Sequence, residues 1–417
     1  MDFKPKSYEK IHQLLDKGVS IRNPESLDIG DEVNIDNISS SNVKIYPGCR
    51  IYGKNTVISA GSIIGYEAPV TIDNCQLGSK VELKGGYFSH SVFLDDAGMG
   101  MGAHVRDGCI LEEQTVGAHC VGLKQTILFP FVTLGSLINF CDCLMAGGTS
   151  RSNHSEVGSS YIHFNFTPNA DKTTPSLIGD VPRGVMLNQP PIFLGGQGGM
   201  VGPLRVGYGA VVAAGSILRK DYPQGNQLIF DIPQPREVRE FIPAAYPGFR
   251  HILENNILYL ANLKALEAWY AHVRKQFFET REFGLLIYDG AMENLSLAMQ
   301  ERLKRLKIMA EKAVSMPARQ VEAQPLDEKQ ALFEHMDGVA GVFSGKINDG
   351  VIQRNQEVFL ECFLQSGRNG AMPYIESIHQ LPPDISTKGV KWLQSIVDYY
   401  CQRISRVLSS TGLFRTI

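Results

Sequence analysis

Ile45-Tyr-Pro-Gly48-Cys-Arg-Ile51-Tyr-Gly53-Lys-Asn-Thr-Val57-Ile-Ser-Ala-Gly61-Ser-Ile63 places an aliphatic residue at every sixth position, with glycines between. Six is not a multiple of the 3.6-residue helical repeat, and ordinary strand alternation does not ask for glycine at regular offsets. A fixed short repeat instead means short strands linked by turns and stacked in coils of three hexads. Each aliphatic side chain points inward under its counterpart in the next coil, and Gly and Asn take corners that need a positive φ. The repeat begins at Ile29-Gly30 and Ile35 and loses regularity between Tyr66 and Gly102. It resumes at Ile110, Val116, Gly122, Leu128 and Leu134, and closes with Val206-Gly207, Val212 and Leu218. The fold class is therefore mainly β, a parallel β-helix of hexapeptide repeats over residues 21–232.

Three further regions surround it. Residues 1–20 form a helical cap, with Tyr8, Ile11, Leu14 and Leu15 on one face and Gly18 as the stop. Pro233, Pro235, Pro243 and Pro247 mark a linker over residues 233–248. Glycine then becomes rare, and residues 249–417 read as an α-helical C-terminal domain. Ile252, Ile257, Leu260, Leu263, Leu266 and Tyr270 follow a helical stripe in 249–275. Stretches 291–315 and 389–409 look the same, and 316–328, with two prolines, reads as a loop. The domain packs on the β-helix or on a neighbouring subunit. Charges along these helices read as solvated faces.

Composition limits the function. The 417 residues carry 40 basic and 43 acidic side chains, a net charge of −3, with no Lys/Arg run. That balance argues against a dedicated nucleic-acid or membrane-surface protein. The N-terminus has acidic residues and no apolar core of a signal peptide, and no stretch approaches a membrane span, so a soluble, cytoplasmic protein is expected. Eight cysteines without paired spacing point to free thiols in a reducing compartment.

The chemistry is expected where the repeat breaks, because an inward aliphatic is replaced only by a residue that finds a partner or faces a groove. One break runs from Asn139-Phe-Cys-Asp-Cys143 through Gly147 to Ser155. A second is His163-Phe-Asn-Phe-Thr-Pro-Asn-Ala-Asp-Lys172, and a third spans Asp180 to Gly202. Loops that project from a solenoid commonly wall a binding site.

These residues resemble the acetyltransferase half of the bifunctional bacterial enzyme that makes UDP-N-acetylglucosamine, and the related archaeal sugar-1-phosphate nucleotidyltransferases that carry the same β-helix. Ala103-His-Val-Arg-Asp-Gly108 is similar to that family's Arg-Pro-Gly coil, and Val121-Gly-Leu-Lys124 to its Val-Glu-Met-Lys segment. Ile162-His-Phe-Asn-Phe-Thr, Lys172 and Ile178-Gly-Asp180 resemble its Asn-Tyr…Lys…Ile-Gly-Asp loop. Val211-Val-Ala-Ala-Gly-Ser216 resembles its Thr-Ile-Ala-Ala-Gly-Thr turn, and Ile232-Pro-Gln234 its closing Val-Pro-Gln. The resemblance covers residues 100–236 and implies a left-handed coil, a homotrimer, and acetyl-CoA or another acyl-CoA as cofactor. It implies that Arg106 and Lys124 bind the phosphate of a sugar phosphate or nucleotide sugar. Asn165 and Lys172 would reach the sugar, Phe166 replaces a Tyr that packs there, and Ala213, Ala214 and Gly215 form the acyl-CoA turn.

The departures matter as much. The position of the family's catalytic His, the general base, is held by Asp142, and an ordinary carboxylate is a poor base unless burial raises its pKa. His154 or His163 is the substitute from an adjacent coil. The family's CoA-contacting Arg falls at Asp231, Gly195-Gly-Gln-Gly-Gly199 has no counterpart, and the uridylyltransferase half is absent. No metal site is expected: no His pair has the spacing of related zinc-binding β-helices, and Cys141 and Cys143 lack further ligands. Nor is there a Gly-Lys-Ser/Thr phosphate loop, a nucleophile elbow or a His-Glu-x-x-His segment. Three readings stay open: an acyltransferase on an amino-sugar phosphate or nucleotide sugar; a nucleotide-sugar-binding regulator without acyl transfer; and a structural trimer that recruits a partner through its helical tail. Arg106 paired with a neighbouring acid and Asn165 as a corner residue are the structural alternatives.

Overall fold

The computed structural model describes residues 7–231, 237–238, 241, 243–244, 246, 248–315, 326–366, 370 and 372–408. Pro233, Pro235 and Pro247 of the expected linker and residues 316–325 of the expected loop lie outside the described residues.

From Ser20 to Ile229 the chain winds as a parallel β-helix whose strands form three flat faces. Face A is one eleven-stranded sheet. A sixteen-stranded sheet wraps faces B and C around a shared corner, because the strands Gly122–Leu128 and Asn139–Met145 run past it without interruption. The only antiparallel pair among the described strands is a hairpin, Gly148–Ser150 with Asn153–His154.

The core is three columns of stacked side chains. On face A, Ile45, Ile64, Leu83 and Met99 lie in register. On face B, Ile51, Ile72, Phe88, Val105 and Leu123 do so. On face C the column is Ile58, Leu77, Phe93, Leu111 and Leu128. All are at most 1 % exposed, and each such burial contributes about 1.5–3 kcal/mol.

The strict six-residue phase needs correction. Ile64, not Ile63, stacks on Ile45, while Ile63 is half-buried. Likewise Gly117 and Leu123, rather than Val116 and Gly122, occupy the columns. The reason is that corners vary in length: Ile45 and Ile64 are nineteen residues apart, Leu83 and Met99 sixteen, Leu111 and Leu128 seventeen. Gly117 is tolerated inside because Met99 fills its space, with Cε 2.7 Å from where a Cβ would stand.

Left-handed residues stack at each corner. Between faces B and C these are Asn74, His90, Gly108, Gln125 and Asp142, with φ between 45° and 79°. Below them Gly53 is required, since a Cβ there would stand 2.3 Å from the Asn74 amide nitrogen. Insertions leave from corners too. Residues 165–175 project between faces B and C, and the hairpin and residues 179–192 project between C and A.

Helix α1 (Tyr8–Asp16) closes the N-terminal end with Ile11 and Leu14, and α2 (Val181–Gly184) is one turn within an insertion. The C-terminal helices are α3 (Phe249–Trp269), α4 (Lys275–Glu279), α5 (Gly284–Val314), α6 (Leu326–Ser344), α7 (Gly350–Gln365), α8 (Tyr374–His379) and α9 (Pro383–Val407), with a π-helical turn at Tyr270–Arg274 joining α3 to α4. They cover face C of the same chain. Its strands Ser91–Phe93, Cys109–Leu111 and Ser176–Ile178 are buried on both sides. Asn294 on α5 donates to the Cys109 carbonyl at 3.0 Å. The π turn supplies a buried ion pair to the coil. Arg274, 2 % exposed, binds Glu113, lies 3.4 Å from Glu112 Oε2, and stacks 3.8 Å from the centre of the Tyr374 ring. Tyr270 donates to Glu112 Oε1 at 2.6 Å. No described helix is long and apolar enough to cross a membrane.

Candidate functional site

Val105 pairs with Leu123, and Lys124 pairs with Cys141. Arg106, Lys124 and Cys141 therefore hold the same register position on consecutive coils, about 4.8 Å apart, just ahead of the corner between faces B and C. The insertion that carries Asn165, Phe166 and Lys172 leaves from this same corner. Burial and the neighbouring Asp142 push the Cys141 thiol pKa up, while Arg106, Lys124 and Lys172 all oppose that shift. The three cations singled out in the sequence thus all lie close enough to act on the Cys141 thiol. Arg106 is exposed, Lys124, Asn165 and Lys172 are half-buried, and Phe166 is 77 % exposed. Neither Arg106 nor Lys124 has an ion-pair partner among the described residues.

Helix α5 forms the opposite wall. With the corner it encloses a cleft of 620 Å³ lined by His90, Asp107, Lys124, Gln125, Leu297, Gln300, Glu301, Lys304 and Arg305. Arg305 is bound to Glu301 at 2.5 Å, and Lys304 lies 4.0 Å from it. Three cations against two acids leave the lining net positive, with Lys124 the unpaired charge. The His90 imidazole stands in this cleft, its Nδ1 2.8 Å from Ser89 Oγ and 3.8 Å from Asp107 Oδ1. Nothing in the sequence pattern separates His90 from any other corner residue, and only the fold brings it opposite α5.

The other candidates lie elsewhere. Asp142 is a corner residue at φ 63°, which Asp tolerates better than most side chains. It is 4 % exposed, paired to Arg302 of α5 at 2.9 Å and approached by Thr174 Oγ1 at 3.4 Å. Burial raises its pKa and Arg302 counters this. The Arg302 guanidinium also donates to the Lys172 carbonyl at 3.1 Å, which sews the insertion to the helix. With both oxygens engaged beneath α5, Asp142 does not face the cleft as a free base.

His163 stands in the inward column of face B, between Phe140 and Met200. It is 2 % exposed, with Nε2 2.8 Å from Ser176 Oγ, and burial pushes its pKa down to about 4. His154 sits on the hairpin between faces C and A, its Nδ1 2.8 Å from the Arg151 carbonyl. Both are away from Lys124. Ala213, Ala214 and Gly215 form the turn between faces A and B, where the α-carbon of Gly215 faces open space. The glycine run beneath is coil packing: a Cβ on Gly195 would stand 2.4 Å from the Ala214 nitrogen. Among the described residues no group of three or more His, Cys, Asp or Glu is placed to hold a metal ion, and all eight cysteines are free.

No family model matches the chain. It is similar to the bifunctional protein GlmU of Thermotoga maritima, 28% identical over 215 residues that cover 51% of this chain and 42% of that protein. GlmU of Pelobacter propionicus is 28% identical over 222 residues, covering 53% and 43%. GlmU of Micrococcus luteus is 26% identical over 240 residues, covering 57% and 43%. The chain thus spans less than half the length of these relatives. Taken with the coil and its register, the matches fit a left-handed β-helix of the kind found in the acetyltransferase half of GlmU.

Proposed function

We propose that this chain is an acyltransferase of the hexapeptide-repeat class that acts on an amino-sugar phosphate or a nucleotide sugar related to UDP-N-acetylglucosamine, with acetyl-CoA or another acyl-CoA as donor. The observation that carries the reading is the stacking of Arg106 and Lys124 on consecutive coils beside the corner from which the insertion bearing Lys172 leaves, with Lys124, the only one of the three that lines the cleft, its unpaired cation. Arg106 and Lys124 hold the phosphate by charge-assisted bonds, and Asn165 and Lys172 orient the sugar. His90, with Asp107 beside it, accepts the ammonium proton, because an imidazole is the side chain best suited to proton transfer near neutral pH. The freed amine attacks the thioester carbonyl; the N–C bond forms, the C–S bond breaks, and the second proton lost by the acylated nitrogen goes to the departing sulfur, so that CoA leaves as the thiol.

Acyl-CoA belongs at Ala213–Gly215 on the A/B edge, and a homotrimer is the arrangement that places one copy's A/B edge near the next copy's cleft. Exposed apolar residues stand on the two faces that meet there, though at their far sides: Phe164 and Val201 on face B toward the B/C corner, and Phe193, Val211 and Leu228 on face A toward the C/A corner, each 39–63 % exposed. Light scattering that gives a monomer at micromolar concentration overturns this part. A cytoplasmic location accords with the eight free thiols.

One observation favours a second reading, a sugar-nucleotide-binding regulator without acyl transfer: the residue at the expected base position, Asp142, is locked by Arg302. A structural trimer with a recruiting tail is disfavoured, since the helices spend their apolar faces on face C. A thermal-shift series with glucosamine-1-phosphate, UDP-N-acetylglucosamine and acetyl-CoA, coupled to a CoA-thiol release assay, separates the readings. Stabilisation by sugar and CoA with turnover that His90→Ala removes supports the acyltransferase. Sugar alone supports the regulator, and no response to any ligand rejects both.

A further inference from the structure

The insertion over residues 165–175, which carries Asn165, Phe166 and Lys172, is held along its second half by the C-terminal helices and the segment that leads into them. Lys312 of α5 donates to the Asn169 carbonyl, and the Ala244 amide donates to the Asn169 side chain at 2.9 Å. The Tyr246 hydroxyl donates to Asp171 Oδ2 at 3.0 Å. Arg302 of α5 donates to the Lys172 carbonyl and Asn256 of α3 to the Thr173 carbonyl, both at 3.1 Å. Asn169, Asp171, Lys172 and Thr173 are thus tied to elements that the coil itself does not contain, while Phe164 and Phe166 at the other end stay exposed.

Lys172 is the informative residue. Its backbone is left-handed, with φ 56°. A side chain with a Cβ takes that conformation only at a cost in strain and keeps it where the surroundings impose it. Here both backbone polar groups are engaged: the N–H donates to Thr167 Oγ1 at 3.2 Å and the carbonyl accepts from Arg302. Arg302 uses one guanidinium nitrogen for this carbonyl and the other for Asp142 at 2.9 Å, and it is 2 % exposed. Its fixed fork therefore joins the coil corner and the insertion to one helix. The half-buried Lys172 lies close enough to Cys141 to act on the thiol together with Arg106 and Lys124.

We infer that Arg302 is a positioning residue of the sugar site: through the Lys172 carbonyl it presets the insertion, so that Lys172 stands beside Arg106 and Lys124 before a ligand arrives. The inference rests on the reading of Lys172 as a sugar-binding residue and makes the helical domain part of that site. A segment ordered in advance spares the ligand the entropy of ordering it, so the clamp acts on affinity.

The test is a double-mutant cycle read by calorimetry with glucosamine-1-phosphate and UDP-N-acetylglucosamine. Arg302→Lys keeps a charge for Asp142 but lacks the fork that spans both partners. It is expected to weaken binding about tenfold in the otherwise unmodified chain and less than twofold in Lys172→Ala, because an effect carried by Lys172 vanishes with it. Amide hydrogen exchange is expected to quicken over residues 169–174 in Arg302→Lys and to stay unchanged in the strands Gly122–Leu128 and Asn139–Met145. Circular dichroism confirms that each variant is folded. If Arg302→Lys does not fold, the neutral pair Arg302→Gln with Asp142→Asn takes its place, and if Lys172→Ala binds too weakly to measure, the exchange result decides. Unchanged affinity in Arg302→Lys, the same fold-loss in both backgrounds, or unchanged exchange over 169–174 overturns the inference and leaves the sugar site standing. No sugar binding by the unmodified chain, or undiminished binding to Lys172→Ala, removes the sugar reading of Lys172 and the inference with it.

Discussion

The guanidinium of Arg302 lies 2.9 Å from the carboxylate of Asp142 and joins the middle of helix α5 to the corner of the β-helix beside which Arg106 and Lys124 also stand. Both partners are at most 4 % exposed. Breaking a buried pair from one side leaves an uncompensated charge, which costs about 3–5 kcal/mol. Arg302→Ala is therefore expected to lower unfolding stability by that amount in urea titrations. Asp142→Asn, which keeps the left-handed corner, is expected to cost less and to leave acyl transfer within a few-fold. A loss of turnover of a hundredfold or more in folded Asp142→Asn would restore Asp142 as the base.

The acid pair under the π turn sets a pH dependence. Burial pushes the Glu112 pKa up to about 7, with Arg274 opposing and Glu113 adding to the rise. A carboxyl whose pKa is higher in the folded than in the unfolded chain favours folding below its unfolded value. That contribution fades as the pH rises from about 4.5 through 7. Glu112→Gln holds the proton permanently, so its stability relative to the unmodified chain is expected to improve by about 1–3 kcal/mol between pH 5 and pH 8. Equal urea midpoint differences at both pH values contradict this.

His163 works in the opposite direction. Its pKa is held down to about 4, so it favours folding above pH 6.5, and that contribution is lost as the pH falls toward 4. His163→Met, of similar volume and uncharged, is expected to make the chain more resistant to acid unfolding, read as a lower midpoint pH in circular dichroism. It is also expected to leave sugar binding unchanged.

Lys124 carries the ligand prediction. Hydrogen bonds to charged groups contribute about 1.5–3 kcal/mol, so Lys124→Ala is expected to weaken glucosamine-1-phosphate or UDP-N-acetylglucosamine binding ten- to a hundredfold by calorimetry. Arg106→Ala is expected to act likewise. Since neither side chain has an ion-pair partner, the melting temperature without ligand should move by less than a degree or two. Unchanged affinity in both variants removes the phosphate from this corner.

Much of the coil was legible because Ile45, Ile51 and Val57 repeat without interruption, although Ile58 rather than Val57 stands in the face C column. The register was less so: nothing local distinguishes Ile63 from Ile64, and the choice is made by the length of the intervening corner. Helices α3, α5 and α9 announce themselves through long apolar stripes, whereas α7 and the short α8 do not. The covering of face C has a signal in the sequence. Its strands Cys109-Ile-Leu111 and Cys143-Leu-Met145 are apolar throughout instead of alternating, as expected for strands buried on both sides. At the site, Arg106 and Lys124 could be read only through the resemblance of their segments to those of the family. His90 could not, because only the docking of α5 opposite it makes the cleft, nor could Arg302 and Arg274, whose partners Asp142, Glu112 and Glu113 lie far away in the chain.

Along face A, Leu83 and Met99 are neighbours sixteen residues apart, while Val157 and Leu194 are neighbours thirty-seven apart, and the ladder passes through both spacings intact. Chain length is absorbed at the vertices while the rungs keep count. The entropic cost of a longer excursion grows only with the logarithm of its length. The prism is thus a scaffold that accepts foreign segments at two of its three vertices, and grafting a recognition loop in place of the 148–154 hairpin should leave the winding undisturbed.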